Sequence, residues 1–175
     1  MSERAPSLSI VIPVYRSAAS LESLLRRLEH ALLALTSEFE VILINDGSPD
    51  DSWEVIESLS PAFPWLKGIN LKRNYGQHNA LLCGIRQARH ELVLTLDDDL
   101  QHPPEEIPKL LEAIEAGADV VYGTPEHEQH GFARDLASRI TKVALSSAMG
   151  AETASKNRTE FGRAAFRREP IKIWQ

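Results

Sequence analysis

The sequence predicts an α/β fold: a mostly parallel sheet with helices on both faces. Three observations predict it. Strand-like and helix-like segments alternate from residue 7 to residue 123. The strand-like segments are β-branched and nearly all apolar, as expected of strands buried on both faces. They end on polar, turn-rich phrases, so right-handed crossovers would gather those phrases along one edge, where such sheets bind ligands.

Ser7–Tyr15 (SLSIVIPVY) reads as the first strand, and Pro13 predicts that its ladder ends there. Ser20 is placed to cap the next helix, whose Leu21, Leu24, Leu25, Leu28, Leu32 and Leu35 recur at helical spacing opposite Glu22, Arg26 and Glu29. Phe39–Asn45 (FEVILIN) is the second strand and stops at Asp46-Gly47-Ser48-Pro49-Asp50. A helix follows over Asp51–Leu59, with Asp50 and Asp51 read as caps, then a short strand at Leu66–Leu71 and a loop at Arg73–Gly76. Gln77–Ala88 is predicted helical with Leu81, Leu82 and Ile85 inward, and Glu91–Leu96 is the fourth strand. Pro104, Glu105 and Glu106 suit the start of a helix that Gly117 ends, and Ala118–Tyr122 is the fifth strand. Gly123–Gly131 is polar, Phe132–Met149 reads as a helix, and Ala151–Gln175 has no clear period. The chain stops at Ile171–Gln175 as if within an element, so a C-terminally truncated domain is expected.

The 175 residues fit one domain, and the apolar fraction of 43 % is ordinary for a globular protein. The single cysteine, Cys83, forbids an internal disulfide, fits a reducing compartment and is read as a buried structural thiol. No segment reaches the ~18 apolar residues that span a bilayer, and the N-terminal run reads as a strand, not a signal peptide. Residues 1–130 carry 10 Lys and Arg against 21 Asp and Glu, a balance of −11, while residues 131–175 carry 9 against 4, a balance of +5. The acidic body argues against nucleic-acid binding. The basic tail suits a phosphate or membrane surface, or equally a solvated basic helix.

The chemistry concentrates in Leu92–Pro104 (LVLTLDDDLQHPP), where an apolar run climbs to three aspartates. If the chain stays extended there, Asp97 and Asp99 share one side and Asp98 faces the other. Two carboxylates so close call for a compensating cation, and oxygen donors suit Mg²⁺ or Mn²⁺. Mg²⁺ typically takes one or two protein carboxylates and completes its shell with water and phosphate, which points to a metal–diphosphate ligand. Asp46, at the end of the second strand, fits either a hydrogen bond to a base or ribose or an Asx-turn. Arg73 fits either phosphate oxygens or a surface ion pair. His78 and His102 lie near the expected cleft, where a lone histidine is more often structural. His127 and His130 lack the cysteines of a zinc site. No dinucleotide-binding glycine fingerprint, no phosphate-binding P-loop and no Gly-x-Ser-x-Gly nucleophile turn is present.

Taken in order, VIPVY, INDGSPDDS, LKRNYGQHNALLCGIRQAR and LTLDDDLQHPPEEIPKL resemble the family 2 glycosyltransferases of GT-A fold. The closest likeness is to their polyprenyl-phosphate branch, which holds dolichyl-phosphate mannose synthase and bactoprenol glucosyltransferases. The resemblance covers residues 7–123 without interruption and extends more loosely to 168. It implies a nucleotide-sugar-binding core at 7–123 and an acceptor-side region at 124–175. It implies that Pro13 and Tyr15 line the nucleotide pocket, that Asp46 contacts the base, that Asp97 and Asp99 form the Asp-x-Asp motif with Asp99 the principal metal ligand, and that Gln101 joins the metal shell. Arg134, Ser138 and Arg139 occupy the stretch that holds the acceptor phosphate.

The sequence departs from the family at Ser17, where an acidic residue is frequent, and in lacking a clean Gly-Phe-Arg phrase after the post-sheet helix. The implied reaction is inverting transfer from a UDP- or GDP-sugar to a polyprenyl phosphate, in the cytoplasm or at the cytoplasmic face of a membrane. The alternatives are transfer to a sugar or polysaccharide hydroxyl, with Glu160 as candidate base, and a catalytically incomplete nucleotide-binding domain.

Overall fold

The computed structural model describes residues 5–100, 103–123 and 163–167. All of these belong to one compact unit. The elements run β1 (Leu8–Val14), α1 (Leu21–Leu33), β2 (Phe39–Asn45), α2 (Ser52–Leu59), β3 (Leu66–Asn70), α3 (Gln77–Gln87), β4 (Leu92–Thr95), a 3₁₀ turn (Pro104–Glu106), α4 (Ile107–Glu115), β5 (Val120–Gly123) and β6 (Arg163–Arg167). The sheet order is β3-β2-β1-β4-β6-β5. Strands β1 to β4 pair in parallel, and β6 runs antiparallel between β4 and β5. The architecture is the mostly parallel α/β sheet that the alternation predicted.

Side-chain alternation along the strands divides the core into two layers. Leu8, Ile10, Ile12 and Val14 of β1, with Val41 and Leu43 of β2, face the buried leucines of α1, Ile56 of α2 and Ile107, Leu110, Leu111 and Ile114 of α4. Val11, Ile42, Ile44 and Val93 face the opposite way, onto Ala80, Leu81 and Ala88 from and just beyond α3. That face is close-packed: a Cβ on Gly84 would stand 2.4 Å from Val11 Cγ1 and 2.5 Å from Ile44 Cδ1. Because Ala80, Leu81 and Gly84 take the sheet side, the 100° step per residue turns Leu82 outward, where it is exposed, and leaves Cys83 partly buried. This corrects the expectation that Leu82 points inward and that Cys83 is fully buried.

Two further expectations are corrected. The β1 ladder does not end at Pro13: its pairing with β2 runs through Val14↔Asn45, whereas its pairing with β4 stops at Val11↔Thr95. Val11 carbonyl accepts from Leu96 and Val14 carbonyl from Asp46, so odd residues turn their backbone groups toward β4 and even ones toward β2. The amide that Pro13 lacks would therefore point past the end of the β4 ladder, where nothing is forfeited. The second correction is β6. Arg163-Ala164-Ala165-Phe166-Arg167 lies in a stretch read as aperiodic, yet it pairs with β4 from Leu92↔Arg167 to Thr95↔Ala164 and buries Ala165.

Candidate active site

The carboxyl ends of β1, β2, β3 and β4 deliver four loops to one edge of the sheet, and side-chain acceptors lock them together. Four consecutive amides of the β1 loop are each taken by a side chain. Tyr15 N–H donates to Asp98 Oδ2 at 3.1 Å, Arg16 N–H to Ser48 Oγ at 3.0 Å, Ser17 N–H to Ser52 Oγ at 3.0 Å and Ala18 N–H to Asp50 Oδ2 at 3.3 Å. These bonds hold Arg16 in the left-handed region at φ 60°. They also occupy the amides that a phosphate-cradling loop would leave open. Tyr15 is exposed, with the Arg16 guanidinium 5.3 Å over its ring.

The β2 and β3 loops interlock as tightly. Asp46 is buried, and its two oxygens accept from the Tyr75 amide at 2.8 Å and the Gly76 amide at 2.9 Å. Each oxygen retains a second acceptor direction. A Cβ on Gly47, at φ 61°, would stand 2.4 Å from the Arg73 carbonyl carbon and 2.5 Å from the Asn74 nitrogen, so glycine is what allows the loops to touch. The exposed Arg73 guanidinium stacks 4.9 Å over the Tyr75 ring. Asp50 accepts from the Ser52 amide and hydroxyl, whereas Asp51, at the N-cap position of α2, makes no side-chain capping bond. Ser20 likewise does not cap α1 through its side chain; its hydroxyl donates to the carbonyls of Ser17 and Asp98. Pro13 is buried within β1, its neighbour Tyr15 carrying the accessible ring of that motif.

The aspartates do not continue the strand. β4 ends at Thr95, Asp98 and Asp99 lie in a turn, and Leu100 takes φ 59°. The turn, not strand alternation, separates Asp98 from its neighbours. Asp98 faces the β1 loop, where it also accepts from the Ser17 hydroxyl. Asp97 Oδ1 accepts from Gln77 Nε2, on the first residue of α3, at 2.8 Å. Burial, followed by the Asp99 and Asp98 carboxylates, pushes Asp97 up to about 6 against the opposing Gln77 bond. Beyond the turn, Arg27 of α1 forms a bidentate pair with Glu105 at 2.7 and 3.0 Å. Its hydrogen bonds hold the Glu105 carboxyl below the usual range.

This donor set fits a hard divalent cation. Asp97 and Asp99 concentrate negative charge that raises Asp97, and a cation would relieve it. Among the described residues, no group of three or more His, Cys, Asp or Glu is placed to hold a metal ion by itself. The structure thus brings Pro13, Tyr15, Asp46, Arg73, Asp97 and Asp99 to one edge. Gln101, His102, Arg134, Ser138, Arg139 and Glu160 lie outside the described residues. His78 is exposed on the second residue of α3. Sequence reasoning assigned no role to Gln77 and overlooked the bonds of Ser17, Ser48 and Ser52. Gln77 was legible as the first polar residue of a helix opening on the same edge; serines in turns carry no such signal.

The glycosyl transferase family 2 model matches residues 9–174 of the chain. Among curated proteins, an undecaprenyl-phosphate 4-deoxy-4-formamido-L-arabinose transferase from Yersinia enterocolitica is 41 % identical over 150 residues, which cover 85 % of this chain and 46 % of the relative. A protein of the same name from Aeromonas hydrophila is 46 % identical over 143 residues, 81 % of this chain and 44 % of the relative. The chain thus spans about half the length of the curated relatives it matches. Among solved structures, a mannosyltransferase from Pyrobaculum calidifontis in complex with GDP-Man and Mn²⁺ superposes with a TM-score of 0.67 at 20 % identity, covering 95 % of this chain and 46 % of that one. Glucosyl-3-phosphoglycerate synthase from Mycobacterium tuberculosis, in complex with Mn²⁺, UDP and phosphoglyceric acid, gives 0.64 at 19 % identity, covering 93 % and 56 %. These two likenesses establish the GT-A fold.

Proposed function

The chain belongs to glycosyl transferase family 2, and from that premise we propose that it is the donor-binding part of an inverting glycosyltransferase that moves a sugar from a nucleotide-diphosphate sugar to undecaprenyl phosphate. The observation that carries this reading is the Asp97/Asp99 pair at the carboxyl edge of the parallel sheet, in a chain 41–46 % identical to undecaprenyl-phosphate sugar transferases.

Asp97 and Asp99 would hold a Mg²⁺ or Mn²⁺ ion, with Gln101 joining its shell on the strength of the family resemblance. Such an ion would supply positive charge against the departing nucleoside diphosphate. Gln77 orients Asp97 by engaging one of its oxygens. Tyr15, the exposed ring of the β1 motif, lines the UDP or GDP moiety, whereas Pro13 is buried within the strand. Asp46, fixed by the Tyr75 and Gly76 amides, meets the base through its remaining lone pairs, and Arg73 faces the diphosphate. The donor core spans 7–123, its sheet completed by β6, and the acceptor side lies in the remainder of 124–175, where Arg134, Ser138 and Arg139 take the lipid phosphate. An acceptor phosphate is already anionic, so no base is required to deprotonate it. The net positive balance of residues 131–175 supports peripheral contact with the cytoplasmic face of a membrane. No helix among the described residues is long and apolar enough to cross one.

Calorimetry with UDP- and GDP-sugars, with and without Mn²⁺, paired with turnover on undecaprenyl phosphate, tests the proposal. Metal-dependent binding of one nucleotide sugar and transfer to the lipid phosphate are expected. Transfer only to a sugar hydroxyl would move the acceptor to another class, and the absence of metal-dependent binding would overturn the donor site.

A further inference from the structure

Asp98, between the two proposed ligands, is tied to the β1 loop at three points. Its Oδ2 accepts from the Tyr15 amide at 3.1 Å and from the Ser17 hydroxyl, and its carbonyl accepts from the Ser20 hydroxyl at 3.3 Å. The β1 loop is pinned on its other side by Ser48, Asp50 and Ser52 of the β2 loop and α2. We infer that Asp98 is a positioning residue: as a hydrogen-bond acceptor, and not as a metal ligand, it sets the spacing between the Tyr15 loop and the Asp97/Asp99 pair, with the Ser17 hydroxyl as its partner.

The inference rests on the donor-site reading, in which the Tyr15 loop meets the nucleotide and the aspartate pair meets the cation. Those two groups are more than 80 residues apart in sequence, and nothing in local backbone preference fixes their distance. A transfer site requires that distance to be held closely, because small misplacements are costly in rate. Ser17 meets the Asp98 carboxylate directly. A carboxylate there would meet Asp98 as a like charge, whereas the serine hydroxyl donates to it. The role asks Asp98 for acceptor oxygens, not for charge, and an asparagine oxygen supplies them.

Mn²⁺ titration followed by electron paramagnetic resonance, with and without UDP or GDP, separates the roles. Asp98→Asn is expected to bind Mn²⁺ within about threefold of the parent, whereas Asp99→Asn loses about tenfold or more. Ser17→Ala is expected to weaken Mn²⁺-supported nucleotide binding about tenfold, and Ser17→Thr to restore it, with thermal unfolding confirming that each variant is folded. Asp98→Asn matching Asp99→Asn would make Asp98 a ligand and overturn the inference, as would a Ser17→Ala variant that binds like the parent. Mn²⁺ affinity indifferent to Asp99→Asn would remove the metal reading itself and this inference with it, a pattern distinct from the failure of Asp98 alone.

Discussion

Glu40 and Asp97 are acidic groups on the same sheet, and their surroundings treat them in opposite ways. Glu40 lies on β2 at the end remote from the four loops, its side chain 4 % exposed. Burial alone would push its carboxyl up. The Ser9 hydroxyl at 2.8 Å, the Arg89 amide at 2.8 Å and the Arg89 guanidinium at 3.0 and 3.2 Å outweigh that and hold it below the ordinary range. Asp97 has one side-chain donor, Gln77, and two carboxylates beside it, and it rises to about 6. At the amino end of the sheet the protein has completed the shell of its buried charge. At the carboxyl end the single Gln77 bond does not offset burial and the two neighbouring carboxylates at Asp97, as expected where a ligand is to complete the shell.

The largest test of this contrast is to remove one charge from each end. Asp99→Asn should reduce sugar transfer by more than about a hundredfold, because a metal acting as a Lewis acid contributes several kcal/mol to the transition state. Its thermal unfolding should hold or improve, since the substitution relieves repulsion on Asp97. Glu40→Ala should do the reverse. It strips the acceptor from Ser9 and Arg89 and should cost about 2 kcal/mol of stability, read by urea unfolding, while the folded fraction keeps its turnover. A Glu40 variant that lost turnover without losing stability would break the comparison.

A smaller effect separates the two groups by pH. The depressed Glu40 contributes stability that is present above its unfolded value and is lost as pH falls through its folded one. The raised Asp97 has the opposite sign: its ionised form is disfavoured in the fold, so its cost is absent in acid, grows with pH and is complete above about 6. Asp97→Asn should therefore raise the metal-free Tm by about 2–4 °C at pH 7 and leave it unchanged at pH 4. In the parent protein, Mn²⁺ affinity should climb up to about pH 6 and then level off. Differential scanning calorimetry at the two pH values and an Mn²⁺ titration across that range check both statements.

The fold was legible in the sequence where burial on both faces leaves a continuous apolar record. Phe39–Asn45 is identical to the strand expected, and Leu21, Leu24, Leu25, Leu28 and Leu32 of α1 are buried as their spacing named, whereas Leu35 falls beyond the helix and is only partly buried. β6 was not legible, because Arg163–Arg167 carries no apolar alternation in its sequence and is completed by pairing with β4 and β5. At the site, Asp46, Asp97 and Asp99 were marked by residue type at strand ends. The division of labour among them was not, because it depends on partners far away in sequence: the Tyr75 and Gly76 amides for Asp46, and the Tyr15 amide and Ser17 hydroxyl for Asp98. The turn at Asp98–Asp99 also replaced the extended geometry that alternation assumed.

Gln77 offers the finest test, since it is the one group opposing the rise of Asp97. Its amide nitrogen donates to Oδ1 and so favours the ionised form; it also holds the orientation of the carboxylate just before the turn. Gln77→Leu removes both effects and retains most of the side-chain volume on an exposed helix start, so stability should change by less than about 0.5 kcal/mol. The midpoint of the Mn²⁺ pH profile should move upward, and Mn²⁺ affinity at pH 7 should fall by a few fold, well short of the loss in Asp99→Asn. Gln77→Glu separates orientation from charge. It preserves length and puts a third carboxylate against Asp97 and Asp99, so the midpoint should rise further than in Gln77→Leu. If the two variants shift the profile equally, Gln77 acts only by holding the rotamer; if neither shifts it, the Gln77 bond has no part in setting the Asp97 charge.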